Sequence, residues 1–204
     1  MFNNWYTGVG SRKAPKEICT LMRLLGYTLA SRGWGLRSGD AEGPDLEFYL
    51  GAMEWAHKQP QVTHPVADIF LSWEGVRGRS RNDPSGHFSV APDYPNYDKA
   101  VALAEAIHPN WEACTRGAKA LHARNPYQVL GRDLESPSKS MIFWAPQTKQ
   151  GSITGGTRTA FEIAKANNVR TINLIEPANF ANALALVGIG RKRLFDLAGV
   201  SDGH

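Results

Sequence analysis

The chain has 204 residues, 42% of them hydrophobic and 21% charged, enough to bury a core and too apolar for intrinsic disorder. Its 23 Lys and Arg against 19 Asp and Glu leave a net +4, a bias that suits phosphate ligands but is too weak to mark a DNA-coating protein. The two cysteines, Cys19 and Cys114, have no CxxC spacing, which argues against a disulfide framework and against a structural zinc site.

Taken in chain order, Trp5-Tyr6-Thr7-Gly8-Val9-Gly10 reads as a buried strand entering a tight loop. A helix follows from near Pro15, with Ile18, Leu21, Met22, Leu25 and Leu29 at helical spacing, and Gly33 ends it. Trp34 to Gly39 repeats the strand and turn, and Asp45 is placed to cap a second helix that carries Leu46, Tyr49, Leu50 and Met53. Val66 to Leu71 is a third strand. Residues 74–98 lack apolar periodicity and read as a loop-rich insertion, functional or mobile. Helices are expected around 98–108 and 111–124, and a strand at Ser140–Trp144. A helix over Thr159–Asn168, a strand over Arg170–Ile175 and a helix from Phe180 complete the chain. This βα rhythm predicts one Rossmann-like α/β domain over 1–204, with an open, mostly parallel sheet and helices on both faces. No apolar run is long enough to span a membrane, and MFNNWYTGVGSR has neither the basic nor the apolar region of a secretory signal, so a cytoplasmic location is the expectation.

Three segments share one design, a strand, then glycines with small hydroxylated residues, then a helix. They are Gly8–Arg12, Arg37–Gly43 and Thr154–Thr159. Glycine lets a backbone approach a ligand, and the free N–H groups and dipole of the following helix favour an anion. The expected phosphate-binding residues are Gly10, Ser11, Arg12, Ser38, Gly39, Gly155, Gly156, Thr157, Arg158 and Thr159. Asp40 or Glu42 is placed to meet ribose hydroxyls or a base, while Asp45 and Glu47 read as capping acids. GxGxxG with a downstream acid and GxxxxGK[ST] are both missing, so neither NAD held in the usual way nor ATP on a P-loop is expected, and no cofactor is called for.

GVGSR, LASRGW and LRSGDAEGPDLEFYLGA together resemble the N-terminal half of the Rossmann-like domain of DNA-processing protein A (DprA, or Smf). SITGGTRTAFEIAKANNVRTINL is similar to that domain's closing loop, helix and strand. HARNPYQVLGRDLESPSKSMIFWAP resembles the middle segment of short DprA-like proteins often carried by phages. The likeness spans most of the chain outside 74–98 and the C-terminal tail. It implies the DprA/LOG superfamily fold and binding of single-stranded DNA or a nucleotide. Alternatives are a sensor or sponge for a small nucleotide-derived signal, and a LOG-like nucleoside-monophosphate N-glycosidase. For the last, the LOG motif PGGxGTxxE runs parallel to Thr154–Glu162, with Thr154 for the proline and Arg158 for the third glycine. The resemblance then makes Glu162 the catalytic residue, stabilising an oxocarbenium-like transition state or acting in acid–base catalysis; as a plain helix-surface residue it would instead pair with Lys165.

Further donors sit at Arg124, Asn125 and Gln128, where a helix turns into the next segment; they suit a base or phosphate, or a helix cap. In the insertion, Arg77, Arg79 and Arg81 alternate near Trp73, His87, Phe88, Tyr94 and Tyr97, as a single-strand-binding loop would have them. Six histidines, His57, His64, His87, His108, His122 and His204, show no metal-ligand spacing, so no metal is expected. The oligomeric state is open, a homo-oligomer included.

Overall fold

The computed structural model describes residues 4–148 and 151–202. Six strands, β1 (Asn4–Gly10), β2 (Trp34–Ser38), β3 (Ala67–Leu71), β4 (Phe88–Val90), β5 (Ser140–Trp144) and β6 (Arg170–Asn173), form one wholly parallel sheet. Their order is β4-β3-β2-β1-β5-β6. The helices are α1 (Lys16–Ser31), α2 (Pro44–Ala56), α3 (Tyr97–Ile107), α4 (Arg116–Ala123), α5 (Asn125–Leu130), α6 (Thr157–Ala166), α7 (Pro177–Val187) and α8 (Arg191–Ala198). The chain is therefore an α/β protein with a Rossmann-like open sheet. No helix among the described residues is long and apolar enough to cross a membrane.

Successive strand residues point to opposite faces, so each strand feeds two cores. Tyr6, Leu36, Ile69, Leu71 and Ile142 meet α1, α2, α7 and α8 on one face. Val9, Phe70, Met141 and Phe143 meet α5 and α6 on the other, where α3 also lies. β1 pairs with β2 from Asn4↔Trp34 and with β5 up to Gly10↔Trp144. Strand order reverses there, and right-handed crossovers on the two sides of the reversal place their helices on opposite faces. The carboxyl ends of β1 and β5 thus open a crevice. Beneath it α1 and α2 cross at two glycines: a Cβ on Gly26 would lie 2.3 Å from the Phe48 carbonyl oxygen, and one on Gly51 1.9 Å from that of Arg23.

The structure departs from the sequence expectations in three places. The insertion at 74–98 is not a structureless loop. It holds two short 3-10 turns, Val76–Gly78 and Ala91–Asp93, and between them β4. Phe88 and Val90 are buried, but two apolar residues make too short an alternation to register as a strand. His87 anchors this edge, taking the Val66 N–H at Nε2 (3.4 Å) and meeting the Tyr49 hydroxyl at Nδ1 (3.2 Å). The helix expected over 111–124 starts only at Arg116, after the Thr115 side chain caps the Ala118 N–H at 3.2 Å. A separate, wholly buried α5 follows, because Pro126 has no N–H with which to continue α4. Finally, Asp45 is not the cap of α2. Gly43, at φ +81, holds the cap position, and Asp45 turns inward to accept the Gly10 N–H at 3.2 Å.

Candidate functional site

All three glycine loops lie at the carboxyl edge of the sheet, but the space beside their glycines differs. The loop after β2 is filled by protein. A Cβ on Gly39 would sit 2.2 Å from Gln128 Nε2 and 2.6 Å from Arg124 Cζ. Arg124 is buried, its Nη1 donates to the Gly39 carbonyl, and its Nη2 lies 4.0 Å from Asp45. Asp45 also receives N–H groups of Ala41, Gly10 and Gly39; burial nevertheless pushes its carboxyl up to about 6, against the pull of Arg124 and those donors. Burial likewise lowers the Arg124 guanidinium. The Ser38 hydroxyl donates to the Gly8 carbonyl at 2.6 Å, inside the sheet. Asp40, only 1% exposed and left-handed at φ +56, faces two arginines rather than solvent.

Those arginines come from the insertion. Arg77 reaches Asp40 at 3.4 Å and Glu42 at 2.8 Å, and Arg79 reaches Asp40 at 3.3 Å while lying over the Phe88 ring at 4.8 Å. Arg81 pairs with Glu74 at 3.0 Å and with Asp93. The triplet expected to serve a nucleic acid is thus spent on carboxylates of the same chain.

The β1 loop is closed from the side of α2. A Cβ on Gly10 would meet Pro44 at 2.8 Å, and the Ser11 N–H donates to the Trp144 carbonyl at 2.9 Å. Ser11 Oγ accepts the Lys13 N–H at 3.2 Å, and Arg12 is exposed beside it. Cys19, behind this loop, is pushed up to about 11 by burial and then by Glu47 and Glu17, which makes it an unreactive thiol.

The third loop is open. Among the described residues, Gly155 (φ +75) and Gly156 have no atom within 4 Å of the place a Cβ would take. α6 begins there with no side-chain cap from its N-cap residue, Gly156, among the described residues. The Arg158 N–H bonds back to the Gly155 carbonyl at 3.1 Å, and the positive end of the helix dipole lies at this loop. Asn125 Nδ2 donates to the Gly156 carbonyl at 3.4 Å and braces the loop from α5. Thr157 is buried at the first position, and Arg158 follows with an Nε that is buried and has no hydrogen-bond partner. Thr159, 1% exposed, is committed to His122, whose Nδ1 lies 2.8 Å from its hydroxyl. Burial, with His108 and Arg124 adding to it, lowers the pKa of that imidazole. Glu162 stands one turn on and lies 3.9 Å from Lys165 in an i,i+3 pair.

Sequence reading missed a cleft of about 610 Å³ between the ends of β3 and α4. Trp73, 42% exposed, and Trp111 line it with Tyr97, Arg116 and Lys119, and the Lys119 ammonium lies 5.3 Å from the Trp111 ring centre. Its residues come from three separate segments, so no local motif announces it. The one local signal was Trp111-x4-Arg116-x2-Lys119, an aromatic followed by cations at near-helical spacing. α4 ties the cleft to the open loop: Arg116, Lys119 and Ala120 face the cleft, and His122 reaches Thr159. An eight-residue helix spans about 12 Å. Compared with known proteins, the chain matches no protein-family model, no curated protein and no solved structure.

Proposed function

We propose that this chain is a DprA/LOG-like nucleotide-binding protein. A phosphate sits on the first turn of α6, and the base lies in the cleft of Trp73 and Trp111. The observation that carries the reading is the open, uncapped glycine loop at Gly155–Thr157, with the unpartnered Arg158 Nε beside it. A glycine pair with empty space on its Cβ side, feeding a bare helix start, suits an anion. The aromatic and basic cleft at the far end of α4 suits a base and its sugar-phosphate. The likeness of the GVGSR, LRSGD and TGGTRT segments to DprA-type loops supports the same family. One open loop, rather than three, favours a single small nucleotide over a long strand, and so do the neutralised Arg77, Arg79 and Arg81.

A second reading, a nucleotide within single-stranded DNA, is favoured by the exposed Trp73 beside Arg116 and Lys119, a stacking-plus-cation surface. Thermal unfolding against the four ribonucleoside monophosphates, cyclic dinucleotides, ADP-ribose and oligothymidylate separates the two. A saturable Tm rise with one mononucleotide, lost in Arg158→Ala, is the expected result; at roughly a hundred times Kd it amounts to about 2.7 kcal/mol. A rise with oligothymidylate alone, steeply weakened by salt, would replace the first reading with the second. No rise with any of them would overturn both. Glu162, 3.9 Å from Lys165 in an i,i+3 pair, lends no support to hydrolysis.

A further inference from the structure

The loop between α3 and α4 gathers three side chains that the mechanism of nucleotide binding does not need. His108 ends α3, Cys114 precedes the α4 cap, and His122 lies on α4. One ligand-type atom from each falls within 4.8 Å of the others, and all three residues are half-buried. Cys114 Sγ is 3.7 Å from both ring nitrogens of His108, and the rings of His108 and His122 meet edge to face at 4.5 Å. With Zn–S near 2.3 Å and Zn–N near 2.0–2.1 Å, a tetrahedral ion sets its sulfur and nitrogen ligands about 3.6 Å apart. The sulfur stands at about that separation from His108 but equally from both ring nitrogens. The ring must therefore turn to aim Nε2, the nitrogen that does not hold the Asn110 N–H, at the ion, and the third ligand closes by about 1 Å.

What surrounds the three also fits a metal. The buried Thr159 hydroxyl holds His122 Nδ1, which fixes the ring and leaves Nε2 for an ion, the outer-sphere arrangement that metal-bound histidines commonly have. Without an ion the three groups gain little from one another: the thiol's own contacts, to His108 at 3.7 Å and to the Asn110 carbonyl at 3.6 Å, are weak, sulfur being a poor donor and acceptor. No carboxylate belongs to the set, and two imidazoles with a thiolate are the ligands of a borderline-soft ion rather than of calcium or magnesium.

We propose that His108, Cys114 and His122 form a three-ligand zinc(II) site with a fourth position left to water or an exogenous ligand. On binding, the Cys114 thiol gives its proton to solvent and the sulfur forms the metal bond, while both imidazoles bind neutral. The ion would lock the 108–115 loop, with Trp111, onto α4 and through Thr159 onto α6. The site stands independently of the nucleotide reading.

The test uses the full chain, reduced and metal-free, titrated with cobalt(II) and then zinc(II). The expected result is one cobalt per chain, with a thiolate-to-cobalt charge-transfer band and the visible bands of a tetrahedral ion, all displaced by zinc. Cys114→Ser removes the charge-transfer band. His122→Gln and His108→Gln lower affinity, and Thr159→Val lowers it by about tenfold through the outer shell. His57→Gln, far along the chain, leaves binding unchanged. Absence of a thiolate band in the parent protein, or equal cobalt affinity in Cys114→Ser, overturns the proposal. Circular dichroism of each metal-free variant checks folding; should His122→Gln fail it, the loop variant Cys114→Ser decides alone.

Discussion

The loops 37–43 and 154–159 are built from the same residue types, strand to glycine to helix, yet one is filled and the other is empty. Beside Gly39 stand the guanidinium of Arg124 and the amide of Gln128; beside Gly156 none of the described residues comes within 4 Å. In the first, glycine is required because the protein itself occupies the Cβ position. In the second, glycine leaves room that the protein does not use. A glycine-rich β-to-α turn is therefore ambiguous until the Cβ side is known. The filled loop is a structural clamp, with Arg124 closing on Gly39 and Asp45, and the open one is the ligand candidate.

The contrast breaks most visibly at Arg124. Arg124→Met leaves Asp45 buried without its counter-charge and should cost about 3–5 kcal/mol of unfolding free energy at neutral pH, measured by urea denaturation. A loss below 1 kcal/mol would show that the clamp is not what holds the β2 loop. Gly39→Ala should cost about 1–3 kcal/mol by overpacking against the same two side chains, with the folded state otherwise intact. The clamp also has a pH signature. Asp45 is raised from its ordinary value of 3.8 to about 6, so its contribution to stability is fully present below about pH 4 and lost as pH rises through about 6. Asp45→Asn should remove that slope, so the parent gains on the variant as pH falls from 7 to 4; parallel stability curves would refute the shift. At the open loop, Gly156→Ala should leave stability within about 0.5 kcal/mol while weakening nucleotide binding severalfold. If it destabilised the fold as much as Gly39→Ala does, the two loops would not differ in kind.

The strands β1, β2, β3, β5 and β6 and the three glycine loops were legible in the sequence because each is a local pattern, an apolar run with a glycine stop. What separates the loops was not. The residue that fills the Gly39 side, Arg124, lies 85 positions away, and nothing local links the two. Arg77 and Arg79 looked available for a polyanion because sequence shows cations but not the Asp40 carboxylate folded beneath them. β4 was invisible for want of length, and so was α5, six residues that follow directly on the helix end read at 124. The cleft of Trp73 and Trp111 exists only where the ends of β3 and α4 converge. The insertion at 74–98 read as a functional or mobile loop. It proves to be the part that neutralises the β2 loop and supplies the last strand of the sheet.

That last strand has a consequence for how copies of the chain meet. A sheet open at both sides offers its outer strands as templates for another chain. Here the outermost strands are β4, with three residues, and β6, with four. A neighbouring molecule arriving edge-on finds rungs for only a turn's length of backbone on either side, too few to register a continuous ladder. The brevity that concealed β4 in the sequence thus guards the protein against growing sheet upon sheet.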